Sequence, residues 1–147
     1  MSTDARVAKD LVETLKDGRD GFTAAAERLR GSDEPELAAT MQRLAEQRAQ
    51  FAGEIVAMGH DYGDDVDESG SAAGALHRGW LKVKDAVTGD DAGSVLGAAV
   101  TGEDHAVSEY EKALGEDLSD GFRSVLQRQH ASVVAARDEV SQLQDAH

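Results

Sequence analysis

The sequence contains no cysteine, which excludes disulfide bonds, thiolate metal sites and a cysteine nucleophile. No apolar run approaches the roughly 18 residues that a membrane-spanning helix requires, so we expect a soluble protein that binds no membrane. Positive charge is scarce, because 15 lysines and arginines stand against 29 aspartates and glutamates and give a net charge of −14. Such a chain repels phosphate backbones, which disfavours nucleic-acid binding. The sequence also has no Gly-x-Ser-x-Gly motif and no phosphate-binding loop that would indicate nucleophilic hydrolysis.

The chain has 147 residues and fits a single domain, 1–147, with one hydrophobic core. Its first 18 residues carry four acidic side chains in an amphipathic pattern. This pattern is neither a basic transit peptide nor an apolar signal sequence, so we expect a cytoplasmic location. The exposed helix faces leave self-association into a homo-oligomer open.

Apolar residues recur at steps of three and four, and no strand-like alternation is present. This periodicity predicts four long helices, which begin near Ser2 or Thr3, at Pro35, near Ala92 and near Asp120. A stop signal, with Gly31 as the helix-terminating glycine, separates the first two helices. The predicted fold class is therefore all-α.

A shorter fifth helix is predicted between the second and third long helices, after an acidic, glycine-containing loop at residues 59–70. Trp80 anchors its apolar stripe. The opposite face carries a basic cluster that is either a binding patch or an ordinary solvated face: His77, Arg78, Lys82 and Lys84. A helix of about 17 residues spans roughly 25 Å, most of the length of a bundle helix. We therefore expect a ferritin-like four-helix bundle with a long crossover that carries this short fifth helix.

Several phrases of the sequence resemble an uncharacterised bacterial family of ferritin-like four-helix bundles, a domain of unknown function: LVETLKDGRDGF, LAEQRAQFAGEI, GALHRGWLKVKDAVTG, GEDHAVSEYEKAL and LQRQHASV. The resemblance covers nearly the whole chain. Membership in the ferritin-like group implies where a di-iron site would lie. One glutamate would come from the first helix of each hairpin and one Glu-x-x-His motif from the second.

Only half of these expected metal ligands are present. Superposing the two hairpins on Phe22 and Tyr110 pairs Leu15 with Glu103, and it pairs residues 46–49 with residues 127–130. The retained ligands are Glu46, Glu103 and His130, whereas Leu15, Ala49 and Gln127 occupy the other expected positions. A complete di-iron site is therefore not predicted, and the three retained residues form an alternative site for one iron or manganese ion.

Two charged side chains, Arg48 and Glu103, fall in the buried registers of their helices. A buried carboxylate needs a cation, a metal or several hydrogen-bond donors, because desolvating an unpaired charge is costly. Arg48, Glu103, Gln129 and His130 all lie near the middle of their helices, as Gly18 does. We therefore expect a buried polar layer in which Arg48 pairs with Glu103, and Gln129 and His130 complete the donors.

Two classes of function follow from these alternatives. The favoured class is a noncatalytic helical protein without a cofactor, associated with stress physiology or an assembly partner, in which the polar layer replaces an incomplete di-iron site. The alternative is an iron- or manganese-binding oxidoreductase or stress-protection protein that uses Glu46, Glu103 and His130.

Overall fold

Four α-helices make up most of residues 3–58 and 92–147, which are the residues that the computed structural model describes. The helices are α1 (Thr3–Gly31), α2 (Pro35–Met58), α3 (Ala92–Leu114) and α4 (Asp120–Asp145). The two described ranges contain no strand, so the all-α prediction is confirmed for them. The predicted fifth helix, its Trp80 and the basic face of His77, Arg78, Lys82 and Lys84 lie outside the described residues.

The turn between α1 and α2 follows the predicted boundaries, since Gly31 ends α1 and Pro35 begins α2. Proline suits a first helical position because its missing N–H has no helical partner there. Asp33 adopts the left-handed backbone of this turn, with φ of 61°. Aspartate tolerates this region better than most residues do. Gly31, which ends α1 as predicted, does not itself adopt the left-handed backbone.

The order of residues in the core fixes the directions of the helices. One apolar cluster joins the early part of α1 and α4 to the late part of α2 and α3, with members that include Leu11, Phe51, Tyr110 and Phe122. The second cluster joins the late part of α1 and α4 to the early part of α2 and α3, with members that include Phe22, Met41, Leu96 and Val140. Therefore α2 and α3 run parallel to each other and antiparallel to both α1 and α4.

Helix packing places α2 and α3 at opposite corners of the bundle. Helix α1 packs against α2 and α3, and α4 packs against α3 and, less extensively, α2. Because α2 and α3 run parallel, α2 ends at one end of the bundle and α3 begins at the other end. Within the described ranges, no helix is long and apolar enough to cross a membrane.

Candidate functional site

A charged layer separates the two apolar clusters at the middle of the bundle. On α2, Arg48 continues the stripe of Leu44 and Phe51, and on α3, Glu103 follows Ala99 at helical spacing. Arg48 and Glu103 are each 1% exposed, so they are buried like the apolar residues that precede them in these stripes. The helical repeat thus places two opposite charges where the pattern requires buried side chains.

The two side chains form a bidentate ion pair across the diagonal of the bundle. Arg48 Nη1 donates to Glu103 Oε1 at 2.5 Å, and Arg48 Nη2 donates to Glu103 Oε2 at 2.6 Å. This fork-to-fork geometry matches a planar guanidinium to both oxygens of one carboxylate. The pair therefore links α2 to α3 through the interior.

Helix α1 supplies the space and the surface against which the arginine lies. A Cβ atom at Gly18 would stand 3.6 Å from Arg48 Cγ, so the side chain passes close to this glycine. The guanidinium carbon lies 5.3 Å from the centre of the Phe22 ring, within the range of a cation–π contact. Arg48 Nε donates to Gln47 Oε1 at 3.3 Å. All three guanidinium nitrogens of Arg48 therefore have acceptors.

The ion pair and burial act on the Glu103 carboxyl in opposite directions. Burial raises the pKa of Glu103, because the charged form is desolvated, while the hydrogen bonds and the positive charge of Arg48 lower it. The net effect is that the pKa of Glu103 is raised. The carboxylate therefore depends on Arg48 to stay charged at this depth.

Gln129 is fully buried, but it does not join the ion pair, contrary to the sequence prediction. Its Oε1 accepts from the Tyr110 hydroxyl at 2.8 Å, and its Nε2 donates to the Phe51 carbonyl at 3.3 Å and to Glu54 Oε1 at 3.4 Å. Burial raises the pKa of Tyr110 above its ordinary value, because the phenolate would be desolvated. Gln129 thus satisfies a second, separate polar contact inside the bundle.

The position of α4 along the bundle axis explains why Gln129 does not reach the ion pair. The partly exposed Arg137 of α4 lies beside Asp104 of α3, with an Nη1 to Oδ1 distance of 3.3 Å. The part of α4 that faces the ion pair is therefore close to Arg137. Gln129 is about two turns away, roughly 12 Å at 1.5 Å per residue. The position of Gln129 in the sequence had suggested the middle of a helix, but the register of the antiparallel hairpin places it elsewhere.

His130 is also not a donor to Glu103. It is half-buried, its ring centre lies 6.4 Å from that of Tyr110, and its Nε2 is 4.0 Å from Glu111 Oε2. That nitrogen is itself buried and has no hydrogen-bond partner. The structure therefore places His130 beside the Tyr110 contact, away from the charged layer.

The alternative metal ligands are not brought together. Glu46 is exposed on α2, Glu103 is occupied by Arg48, and His130 lies near Glu111. The superposition placed the Glu-x-x-His motif at residues 46–49, whereas the buried stripe of α2 runs through Ala45 and Arg48. In residues 3–58 and 92–147, no group of three or more metal-binding side chains is close enough to hold an ion.

The two hairpins nevertheless repeat one contact. The Phe22 ring of α1 contacts the guanidinium of Arg48 from α2, and the Tyr110 hydroxyl of α3 donates a hydrogen bond to the side-chain amide of Gln129 from α4. The superposition that pairs Phe22 with Tyr110 also pairs Arg48 with Gln129. The aromatic residues were not predicted as partners from the sequence, although this internal correspondence was the signal that could have found them.

In residues 3–58 and 92–147, the protein is an all-α bundle of four helices with a buried Arg–Glu pair at its centre. Residues 5–116 match the family model described as Domain of unknown function (DUF2383), and the chain belongs to this family. The matched region includes Arg48, Glu103 and Tyr110, whereas Gln129 and His130 lie beyond it. No curated protein matches the chain.

Proposed function

We propose that the protein is a noncatalytic ferritin-like bundle in which an internal ion pair takes the place of a metal centre. The observation that carries this proposal is the bidentate pairing of Arg48 with Glu103, each 1% exposed. The guanidinium supplies the positive charge and the donors that this carboxylate would otherwise need from an ion. A cation of the protein's own chain thus fills the centre of the bundle.

The physical role of the pair is to specify one arrangement of the helices. Burying two charges costs several kcal/mol per ion by general estimates, and their attraction roughly offsets this cost, so such a pair adds little net stability. A slip of α2 or α3 by one turn would leave both charges buried without a partner. The pair therefore disfavours incorrect registers between two helices at opposite corners, which have little direct packing to align them.

The ferritin-like topology is part of this proposal. The parallel directions of α2 and α3 support it, because α2 ends at the end of the bundle opposite the start of α3. A long crossover that carries the predicted short fifth helix would connect these ends. The proposal also includes a cytoplasmic bacterial protein, with no nucleic acid, that acts through its surface on an assembly partner or on copies of itself, in stress physiology.

Elemental analysis of protein purified without a histidine tag tests the proposal. We expect iron and manganese well below one equivalent per chain, including after growth in medium supplemented with either metal. One equivalent of either metal, lost after Glu103→Gln substitution, would instead support the metal-binding oxidoreductase or stress-protection protein. Arg43→Gln, which removes an exposed arginine of the same helix, is the control for nonspecific effects of charge.

A further inference from the structure

Helices α2 and α4 are neighbours in the bundle, but they pack together less than any other neighbouring pair of the described helices. Two ion pairs join them at the surface. Arg43 Nη2 donates to the two carboxylate oxygens of Glu139 at 2.7 and 2.8 Å, and Arg128 Nη2 donates to Glu54 Oε2 at 2.6 Å. The side chains of both arginines are more than half exposed. This side of the bundle therefore depends on polar surface contacts more than the other sides do.

The two ion pairs occupy equivalent positions on the two helices. Each helix has an arginine and, 11 residues later, a glutamate: Arg43 and Glu54 on α2, and Arg128 and Glu139 on α4. Because the helices are antiparallel, each arginine meets the glutamate of the other helix. Eleven residues make about three helical turns, or roughly 16 Å. We call this edge of the bundle the α2–α4 seam, and we call the contacts Arg43–Glu139 and Glu54–Arg128 the seam ion pairs.

The stretch between the seam ion pairs lies over the buried charged layer. Gln47 follows Arg43 by four residues and therefore lies on the same edge of α2. Its side chain is half-buried, and its Oε1 accepts from Arg48 Nε at 3.3 Å. Gln47 thus connects the surface of the seam directly to the buried guanidinium.

The other surroundings of Arg48 leave the seam as the open side. Glu103 of α3 binds the two terminal nitrogens, and Phe22 of α1 lies against the guanidinium. On α4, the position equivalent to Gln47 is Ser132, four residues after Arg128. Serine is small, so α4 adds little side-chain volume to the seam at this position. Gln47 is therefore the side chain that stands between solvent and the guanidinium.

The contacts across the seam are of the kind that breaks most easily. Exposed ion pairs stabilise a protein only slightly, and salt weakens them further. Proteins open locally where buried apolar contacts are fewest, at a lower cost than global unfolding. Separation of α2 from α4 at the seam leaves the more extensive packing of α1 on α2 and of α3 on α4 in place.

We propose that the α2–α4 seam is a gate over the buried Arg48–Glu103 pair and that the seam ion pairs hold it shut. When the seam opens, Gln47 moves aside and water reaches the guanidinium of Arg48, while both helical hairpins stay folded. The seam is the first part of the described bundle to open. This gate requires only the ion pair itself and does not depend on the ferritin-like topology.

Hydrogen exchange of the Arg48 Nε proton, followed by nuclear magnetic resonance, tests the gate. The signal of Arg48 is the one that Arg48→Lys removes. In the wild-type protein, we expect this proton to be less protected than the best-protected backbone amides, because the seam opens without global unfolding. Equal protection would overturn the proposal, since water would then reach Arg48 only when the whole bundle unfolds.

The double variant Arg43→Gln/Arg128→Gln removes both seam ion pairs. We expect it to speed the exchange of the Arg48 Nε proton about tenfold, which is in the range for two exposed ion pairs. The matched control is Arg6→Gln/Arg137→Gln, which changes the net charge equally but removes two surface cations that pair outside the seam. It should leave the exchange of Arg48 nearly unchanged. Equal acceleration by the two double variants would overturn the proposal.

A charge swap separates the ion pair from other effects of the arginine side chain. Arg43→Glu should speed the exchange of Arg48, and the addition of Glu139→Arg should slow it again, because the pair is restored in reverse. Added salt should speed the exchange in the wild-type protein and have little effect in Arg43→Gln/Arg128→Gln. A swap that fails to restore slow exchange, or a wild-type rate that does not respond to salt, would show that the seam ion pairs do not hold the gate.

Discussion

Arg48 and Glu103 meet across the diagonal of the bundle and join α2 to α3, two parallel helices at opposite corners. The pair lies between the two apolar clusters of the core, so the charged layer is sealed on both sides by apolar packing. A salt bridge at this depth differs from the surface pairs of the same protein. Arg43 and Glu139, for example, have side chains that are 56% and 43% exposed.

Removing Arg48 alone should be strongly destabilising. We expect Arg48→Met to lower the free energy of unfolding by roughly 3 to 5 kcal/mol, because Glu103 would be left buried without its cation. The double variant Arg48→Met/Glu103→Leu should recover much of this loss, since neither charge remains. Urea unfolding followed by circular dichroism measures both values.

The matched control is Arg43→Met, which breaks an exposed pair of the same helix and should cost about 1 kcal/mol or less. Equal losses of unfolding free energy for Arg43→Met and Arg48→Met would show that the buried pair contributes no more to stability than the exposed pair. A double variant less stable than Arg48→Met would show that the apolar replacements do not fit the site.

The cost of Arg48→Met should depend on pH. Burial already raises the pKa of Glu103, and loss of Arg48 removes the main cause that lowers it. A raised pKa in the folded state means that the folded protein keeps a proton that the unfolded chain releases. The stability that this proton contributes is fully present below the ordinary glutamate pKa of about 4.5 and is lost as the pH rises through the folded-state pKa.

The difference in unfolding free energy between wild type and Arg48→Met should therefore grow from pH 4 to pH 7, as measured by urea unfolding at each pH. The double variant Arg48→Met/Glu103→Leu lacks this carboxyl group and should not show the same growth. A wild-type to Arg48→Met difference that stays constant over the range would mean that Glu103 keeps one protonation state throughout.

Gly18 should accept a methyl group. A Cβ atom there would lie 3.6 Å from Arg48 Cγ and 3.7 Å from Nη1, which is ordinary van der Waals contact. Since glycine costs up to about 1 kcal/mol relative to alanine inside a helix, Gly18→Ala should stabilise the protein by a similar amount. Gly18→Leu should instead be destabilising, because the larger side chain would displace the guanidinium.

Gly53→Ala on α2 is the matched control, because a Cβ atom there meets nothing within 4 Å. Thermal unfolding should show comparable gains for both alanine variants. A lower melting temperature with Gly18→Ala, beside a higher one with Gly53→Ala, would show that Arg48 needs the space left by the absence of a side chain at Gly18.

The sequence was sufficient to predict the four described helices because their apolar stripes are long and their ends carry distinct signals. Pro35 and Asp120 begin α2 and α4 at the predicted positions. The contact between Arg48 and Glu103 was also accessible, since opposite charges in two buried registers near helix middles have few other solutions. These inferences depend on each helix separately or on a strong chemical constraint.

The remaining members of the site could not be placed from sequence, because their positions depend on how one helix slides along another. Gln129 follows the buried stripe of α4, yet its level in the bundle is set by the length of the turn before α4 and by the packing on α3. His130 is one residue further along the chain and turns by about 100°, away from the core. Periodicity predicts the helix face on which a residue lies, but it does not predict the position of that residue along the bundle axis.

Tyr110 should resist ionisation in the folded protein. Burial raises its pKa well above the ordinary tyrosine value of 10.0, and its hydroxyl donates to Gln129. The Tyr62→Phe variant leaves Tyr110 as the only tyrosine, so its phenolate absorbance near 295 nm can be followed alone. We expect titration at a higher pH in the native variant than in the same variant unfolded in urea.

The sign of the linked stability follows from this shift. The stability contributed by neutral Tyr110 is fully present below pH 10 and is lost as the pH rises through the folded-state pKa. Phenolate formation should therefore coincide with loss of the helical signal. Reversible titration at the urea value, with the helices intact, would contradict the burial of the hydroxyl.

Chelation should leave the melting temperature of the wild-type protein unchanged, because Arg48 already provides the cation for Glu103. A metal that binds only the folded state stabilises it in proportion to the logarithm of its concentration, so removing such a metal would lower the melting temperature. Thermal unfolding is compared with and without a chelator, and with added iron or manganese, in wild type and in Arg48→Met.

The decisive comparison is between the two proteins. If chelation lowers the wild-type melting temperature and Arg48→Met leaves it nearly unchanged, the ion-pair model fails and a metal centre should replace it. If only Arg48→Met gains stability from added metal, the carboxylate of Glu103 is able to hold an ion, and the arginine is what excludes that ion from the native bundle.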